Sequence, residues 1–133
     1  MTIAEKKKLL HNYRFIDAIL PYYEDRLQEL DEEILLFQRE LHSPCPSTEV
    51  KSLMKAVLSR QEDLAQQQSD LIRKKLQVEA AIEAMTDYNL RKVILVRFVG
   101  GLSQFEAAAA LNYSEGYFWK LENKAINAID LEP

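Results

Sequence analysis

The stretch that decides the fold is Gly100-Gly101-Leu102-Ser103-Gln104-Phe105-Glu106-Ala107-Ala108-Ala109-Ala110-Leu111-Asn112-Tyr113-Ser114-Glu115. Two glycines stop whatever precedes them, because glycine enters the left-handed backbone region without a side-chain clash. Ser103 followed three residues later by Glu106 has the spacing of a capping box, in which each side chain bonds a free N–H of the new first turn. Four alanines and a leucine then propagate a short helix. Asn112 is the commonest non-glycine choice where the backbone must turn left-handed, and Ser114 is a natural cap for the next helix, running to about Ile129.

Spacing makes this more than helices in a row. Two helices can cross closely only where the first offers a small residue, which Ala108 supplies. A turn residue must follow four positions later, which is Asn112. Apolar side chains must fill the angle, and Leu111, Tyr113, Phe118 and Leu121 are in register to do so. These requirements define a helix-turn-helix. Phe118 is expected in the core. Upstream, Asp87 is placed to cap a helix through Val93, Ile94, Leu95, Val96, Phe98 and Val99, apolar enough to be buried.

Further outward the texture changes to long polar helices. Ile16, Leu20, Tyr23, Leu27, Leu30, Ile34, Phe37 and Leu41 alternate steps of four and three, a heptad seam on an otherwise charged helix. Pro21 interrupts this run, either kinking the helix or marking the first turn of one that starts near Leu20. The segment from His42 to Ser47 contains Pro44 and Pro46, which forbid a continuous helix. Ser47 or Thr48 can cap a second helix, on which Val57, Leu64, Leu71, Val78 and Met85 recur every seventh residue. Their companions are Met54, Gln61, Gln68, Lys75 and Ile82, so the middle of this seam is polar. That polar layer sets register or partner number, or faces solvent. Leu58, Ala65 and Ile72 are placed to widen the stripe.

The expected architecture is therefore all-α: a long antiparallel helical hairpin or coiled coil over residues 1–86, serving oligomerisation, and a helix-turn-helix module over 87–133. Three glycines and four prolines among 133 residues agree with few, long elements. The long helices can pair within one chain or between two; a homo-oligomer is the expected assembly.

The net charge of −4 is unevenly spread. Residues 1–87 hold twelve basic against sixteen acidic side chains, whereas Tyr88–Ile129 holds five basic (Arg91, Lys92, Arg97, Lys120, Lys124) against three acidic. Such a distribution permits an anionic partner for the C-terminal module. Arg91, Lys92 and Arg97 are either solvated or phosphate-facing, and Lys6-Lys7-Lys8 reads as an exposed end. A lone Cys45 fits a reducing cytosol. With no apolar run of membrane-spanning length and no signal-peptide pattern, the expectation is a soluble cytoplasmic protein with no membrane partner. No phosphate loop, nucleophile set or metal-ligand cluster is present, and His11 and His42 stand apart, so no enzyme activity, metal or cofactor is expected.

Arg97-Phe98, Gly101-Leu102-Ser103, Glu106-Ala107-Ala108, Leu111 and Ser114 together resemble the promoter −35-reading domain of bacterial sigma factors. Leu121-Glu122-Asn123-Lys124-Ala125-Ile126 is similar to the end of the recognition helix in primary sigma factors. The resemblance covers residues 91–129, and nothing upstream looks like the polymerase-binding core of a sigma factor. A short chain with helices first and such a module last resembles the ArpU/RinA-like late-gene transcriptional regulators of phages. The resemblance implies binding of double-stranded DNA beside a promoter, with RNA polymerase as a further partner. Carried over by position, the DNA-binding residues are Ser114, Glu115, Tyr117, Trp119, Lys120, Asn123 and Lys124, with Gly116 among them in the first turn. Tyr117 and Trp119 suit thymine methyls or sugars, Lys120 and Lys124 phosphate, and Asn123 adenine. Glu115 suits cytosine N4 or the positive end of the helix dipole. Unlike sigma-type helices, this one has no arginine. The other reading is a protein-binding adaptor, such as a phage packaging or polymerase-interacting factor, in which Trp119 anchors a protein interface.

Overall fold

Thr2 and Glu5 begin the first helix by reciprocal capping. The Thr2 hydroxyl accepts from the Glu5 N–H at 3.2 Å, and the Glu5 carboxylate accepts from the Thr2 N–H at 3.3 Å. The helix they open, α1 (Ile3–Leu41), runs 39 residues and is followed by α2 (Thr48–Glu83) of 36. Three shorter helices complete the chain: α3 (Tyr88–Ile94), continued by a π-helical turn over Leu95–Val99, α4 (Gln104–Ala110) and α5 (Glu115–Ala128). The computed structural model describes residues 1–45 and 47–132, so Pro46, the second proline of the expected break, lies outside the described residues. Among the described residues 82% are helical and none is in a strand, so the fold is all-α as the sequence predicts.

Pro21 lies inside α1 and does not start a helix there. It removes one backbone donor, leaving the Asp17 carbonyl without its helical partner, and the flanking seam carries the helix through. Ser47 caps α2: its hydroxyl accepts from the Glu49 N–H at 3.2 Å.

The chain divides into two compact units, and both long helices contribute to each. In Ile19–Ile72, Leu30, Ile34 and Leu64 are buried, and Leu20, Tyr23, Leu27, Phe37, Val57 and Leu71 are half-buried. These are the seam positions. The polar layer crosses between the helices: Gln61 donates to the Asp31 carboxylate, and the Tyr23 hydroxyl donates to Gln67 at 3.1 Å. As numbers rise along α1 their partners fall along α2, so the pairing is antiparallel and within one chain. Leu58, Ala65 and Ile72 do not widen the stripe; all three are exposed, because one facing helix covers only a narrow seam.

The other unit joins Met1–Ala18 to the chain from Arg73 onward. The expected division at residue 86 is a change of element there and not the edge of a compact unit. Leu10 and Tyr13 of α1 and Val78, Ala81 and Ile82 of α2 share one core with Val93, Ile94, Phe98, Phe118 and Ile126. A 47-residue module has too little interior to bury its apolar faces alone, and the helical ends supply the rest. Lys75 bonds Asp17 at 2.6 Å, and Tyr13 donates to Glu79 at 3.3 Å, again in antiparallel order.

Two more pieces of this core were not apparent in the sequence. After α5 the chain extends, and Ile129 and Leu131 are fully buried. Gln77 donates to the Leu131 carbonyl. Lys6, expected as part of an exposed end, instead donates to the carbonyls of Ile129 at 2.7 Å and Asn127 at 3.2 Å, where α5 leaves backbone acceptors without helical partners.

Candidate nucleic-acid interface

Each boundary of the C-terminal module is set by local chemistry. The Asp87 carboxylate accepts from the N–H groups of Asn89 and Leu90 and opens α3. The chain then widens into the π-turn, and the Gly100 N–H reaches back five residues to the Leu95 carbonyl at 2.7 Å. Gly101, and not Gly100, takes the left-handed conformation, with φ 73°. The Arg14 side chain lies where a Cβ at Gly101 would stand, so both backbone and space require glycine. Ser103 and Glu106 form the expected capping box, at 3.1 and 3.2 Å. Those bonds hold the Glu106 carboxyl below its ordinary pKa.

The turn from α4 to α5 is a Schellman motif. The Asn112 N–H bonds the Ala109 carbonyl at 3.2 Å, and the Tyr113 N–H bonds the Ala108 carbonyl at 2.9 Å. Asn112 has φ 60°, the only non-glycine positive φ among the described residues. Ala107 and Ala108 are buried, and α4 and α5 pack against each other across them. Ser114 caps α5, accepting from the Tyr117 N–H at 3.2 Å.

Beneath this turn sits a polar cluster that sequence reasoning missed. Glu122 is 2% exposed. The Arg97 Nε donates to its Oε1 at 2.8 Å, Gln104 donates to its Oε2, and Arg97 Nη1 donates to the Leu102 carbonyl at 3.0 Å. The buried carboxylate thus ties the π-turn and α4 to α5, and Arg97 extends the link to the Gly-Leu-Ser loop. Arg97 is therefore neither solvated nor phosphate-facing. The signal available was a lone acid among apolar neighbours on the inner face of α5, four residues after Phe118 and four before Ile126. Beside it, the His11 ring meets Phe98 edge-on at 5.0 Å. Lost hydration, followed by the charge of Arg97, lowers the His11 pKa below 6.5.

With Phe118, Glu122, Ala125 and Ile126 turned inward, α5 presents the opposite face to solvent. Glu115, Gly116, Tyr117, Trp119, Lys120 and Lys124 are exposed and Asn123 is half-buried at the margin. Ser114 is exposed at the entrance, with its hydroxyl engaged as the cap. At about 100° per residue, Gly116 and Lys120 lie near the outward pole, with Tyr117 on one flank and Trp119 on the other. Both aromatic residues are 53% exposed. Tyr117 is steadied by Tyr113, ring to ring at 5.0 Å. The seven sequence-derived residues thus line the entrance and outer side of one helix, held by Asn112, Ser114 and Glu122. Arg91 and Lys92 are half-buried on α3, Lys92 lying 5.8 Å from the Tyr88 ring.

The fold is all-α, with the ends of two long helices and three short helices sharing one core. The chain belongs to the family described as Protein of unknown function (DUF1492), whose profile matches residues 49–130, more than half of its length. No curated protein and no solved structure matches it. No helix among the described residues is long and apolar enough to cross a membrane.

Proposed function

We propose that this chain is a sequence-specific DNA-binding transcriptional regulator of phage or mobile-element origin, which inserts α5 into the major groove near a promoter. The observation that carries the reading is the outward face of α5. A left-handed Asn112 and the capping Ser114 thrust forward a helix whose exposed side offers Tyr117, Trp119, Lys120 and Lys124 and whose inner side is anchored by Phe118 and Glu122. A duplex needs such a protruding helix to reach base edges, and cations on its flank to meet phosphate. The resemblance to sigma-type and ArpU/RinA-like modules supports the same reading and adds RNA polymerase as a partner. The regulator is cytoplasmic, non-catalytic and a homo-oligomer. Its association uses the hairpin unit, where Leu35, Leu36, Leu53 and Leu58 are exposed. Gel-shift titration against the promoter region beside its own gene tests the proposal. Sequence-preferring complexes that weaken with added salt are expected, and folded protein giving none at low salt contradicts it.

One observation favours a second reading. The net charge is −4, no arginine lies on α5, and two large aromatic rings stand in solvent, a combination that suits a protein partner. Under this adaptor reading, replacing Tyr117 and Trp119 by alanine abolishes a protein complex and leaves DNA affinity unchanged. Under the leading reading, the same variant loses DNA affinity.

A further inference from the structure

Lys7, His11 and Arg14 are spaced by four and three along α1, which puts them on one face of that helix. This face borders the C-terminal module. The His11 ring meets Phe98 edge-on at 5.0 Å, and the charge of Lys7 reaches His11. Arg14 goes furthest: its guanidinium and Cδ lie across Gly101, in the space a Cβ there would fill. The loop leading into α4 is thus held by two arginines, Arg97 bonding the Leu102 carbonyl and Arg14 covering Gly101. Their partners differ. Arg97 is matched by the buried Glu122, whereas Arg14 is exposed and has no hydrogen bond or ion pair among the described residues. Asp17, Glu106 and Glu122, on α1, α4 and α5, are each engaged elsewhere, by Lys75, by the Ser103 N–H, and by Arg97 with Gln104.

From this placement we propose that Arg14 clamps a phosphate of duplex DNA beside the entrance of α4, so that α1 shares the interface with α5. The clamp rests on the DNA-binding reading and adds a contact from outside the helix-turn-helix. When the second helix of such a module enters the major groove, the first crosses the sugar–phosphate backbone. Here that first helix is α4, capped by Ser103, and Arg14 stands at Gly101, two residues before the cap. A cation there, without a carboxylate of its own, lies where the backbone passes, and a guanidinium can bond two phosphate oxygens at once. The clamp also offsets the acidic balance of the chain, since α5 brings only Lys120 and Lys124 to the duplex and α1 adds a third positive charge. Phosphate contacts set register and carry no sequence information, so Arg14 strengthens binding without choosing the site.

Fluorescence-anisotropy titrations of the full chain at a series of salt concentrations test this. One duplex comes from the promoter region beside its own gene, and the other is a scrambled duplex of the same composition. Arg14→Gln is expected to melt like the wild type and to weaken binding to both duplexes alike. The slope of log affinity against log salt is expected to shrink by about one, the counterion released by a single phosphate contact. Arg14→Lys, which keeps the charge, retains the slope. Lys8→Gln removes an equal charge from another side of α1, beside Lys74 and Gln77 of α2, and leaves the slope unchanged. An unchanged slope in Arg14→Gln overturns the inference and leaves the DNA-binding reading standing. So does an equal decrease in Lys8→Gln, which would mark a general effect of net charge, or in Arg14→Lys, which would mark lost packing on Gly101. Failure of the wild type to bind either duplex at low salt overturns both.

Discussion

Taking a carboxylate out of water is costly unless its oxygens find donors, and Glu122 meets that condition with one donor on each oxygen. Removing it leaves the Arg97 charge and the Gln104 amide facing a gap. Glu122→Ala is therefore expected to lose about 3 kcal/mol of stability in urea denaturation, and Glu122→Gln, which keeps shape and an acceptor, distinctly less. A loss in Glu122→Ala near that of a surface substitution contradicts the role assigned to this cluster. His11 gives a pH signature beside it. Its folded pKa lies below 6.5, so the unfolded chain holds the proton more tightly. Stability is then undiminished above about pH 6.5 and falls as pH drops through that value toward the folded pKa. His11→Gln lacks this component. Thermal melts of the two proteins should therefore change relative to each other on acidification, the wild type losing more.

Among the elements, those whose determinants lie within a few residues were legible in the sequence. The Ser103–Glu106 box, the Asp87 and Ser114 caps and the left-handed Asn112 each depend on neighbours no more than five positions away. The heptad seams were legible because periodicity states which face is covered. What stayed hidden depends on pairing across the chain. Arg97 meets Glu122 over 25 positions, and Lys6 meets Ile129 over 123. Neither distance leaves a pattern in one sequence. Leu58, Ala65 and Ile72 misled for a related reason, since periodicity gives a face but not how wide a partner covers it. The outward face of α5 was legible by position. The turn is testable at this scale. Asn112→Gly should leave stability nearly unchanged, and Asn112→Ala should cost about 1–2 kcal/mol, the penalty of the left-handed region for a residue with a Cβ. Equal effects from both would mean that Asn112 acts through its side-chain amide and not through φ.

At the scale of the whole molecule, the helix-turn-helix is not an appendage on a hairpin, because residues from both ends of the chain complete its core. A fragment beginning near Asp87 lacks Leu10, Tyr13, Val78 and Ile82 and is expected to be unfolded by circular dichroism, although it contains all three short helices. The hairpin unit leaves Leu35, Leu36, Leu53 and Leu58 exposed, and serine at these positions should convert the proposed homo-oligomer to a monomer in light scattering. The central claim, that the outward face of α5 meets duplex DNA, is tested most directly by mapping amide chemical shifts of the labelled full chain as a promoter duplex is added. Shifts should be largest at Glu115, Gly116, Tyr117, Trp119 and Lys120 and small on the inner face at Phe118 and Ala125. Shifts confined to the helical hairpin, or none at all at low salt, would contradict it.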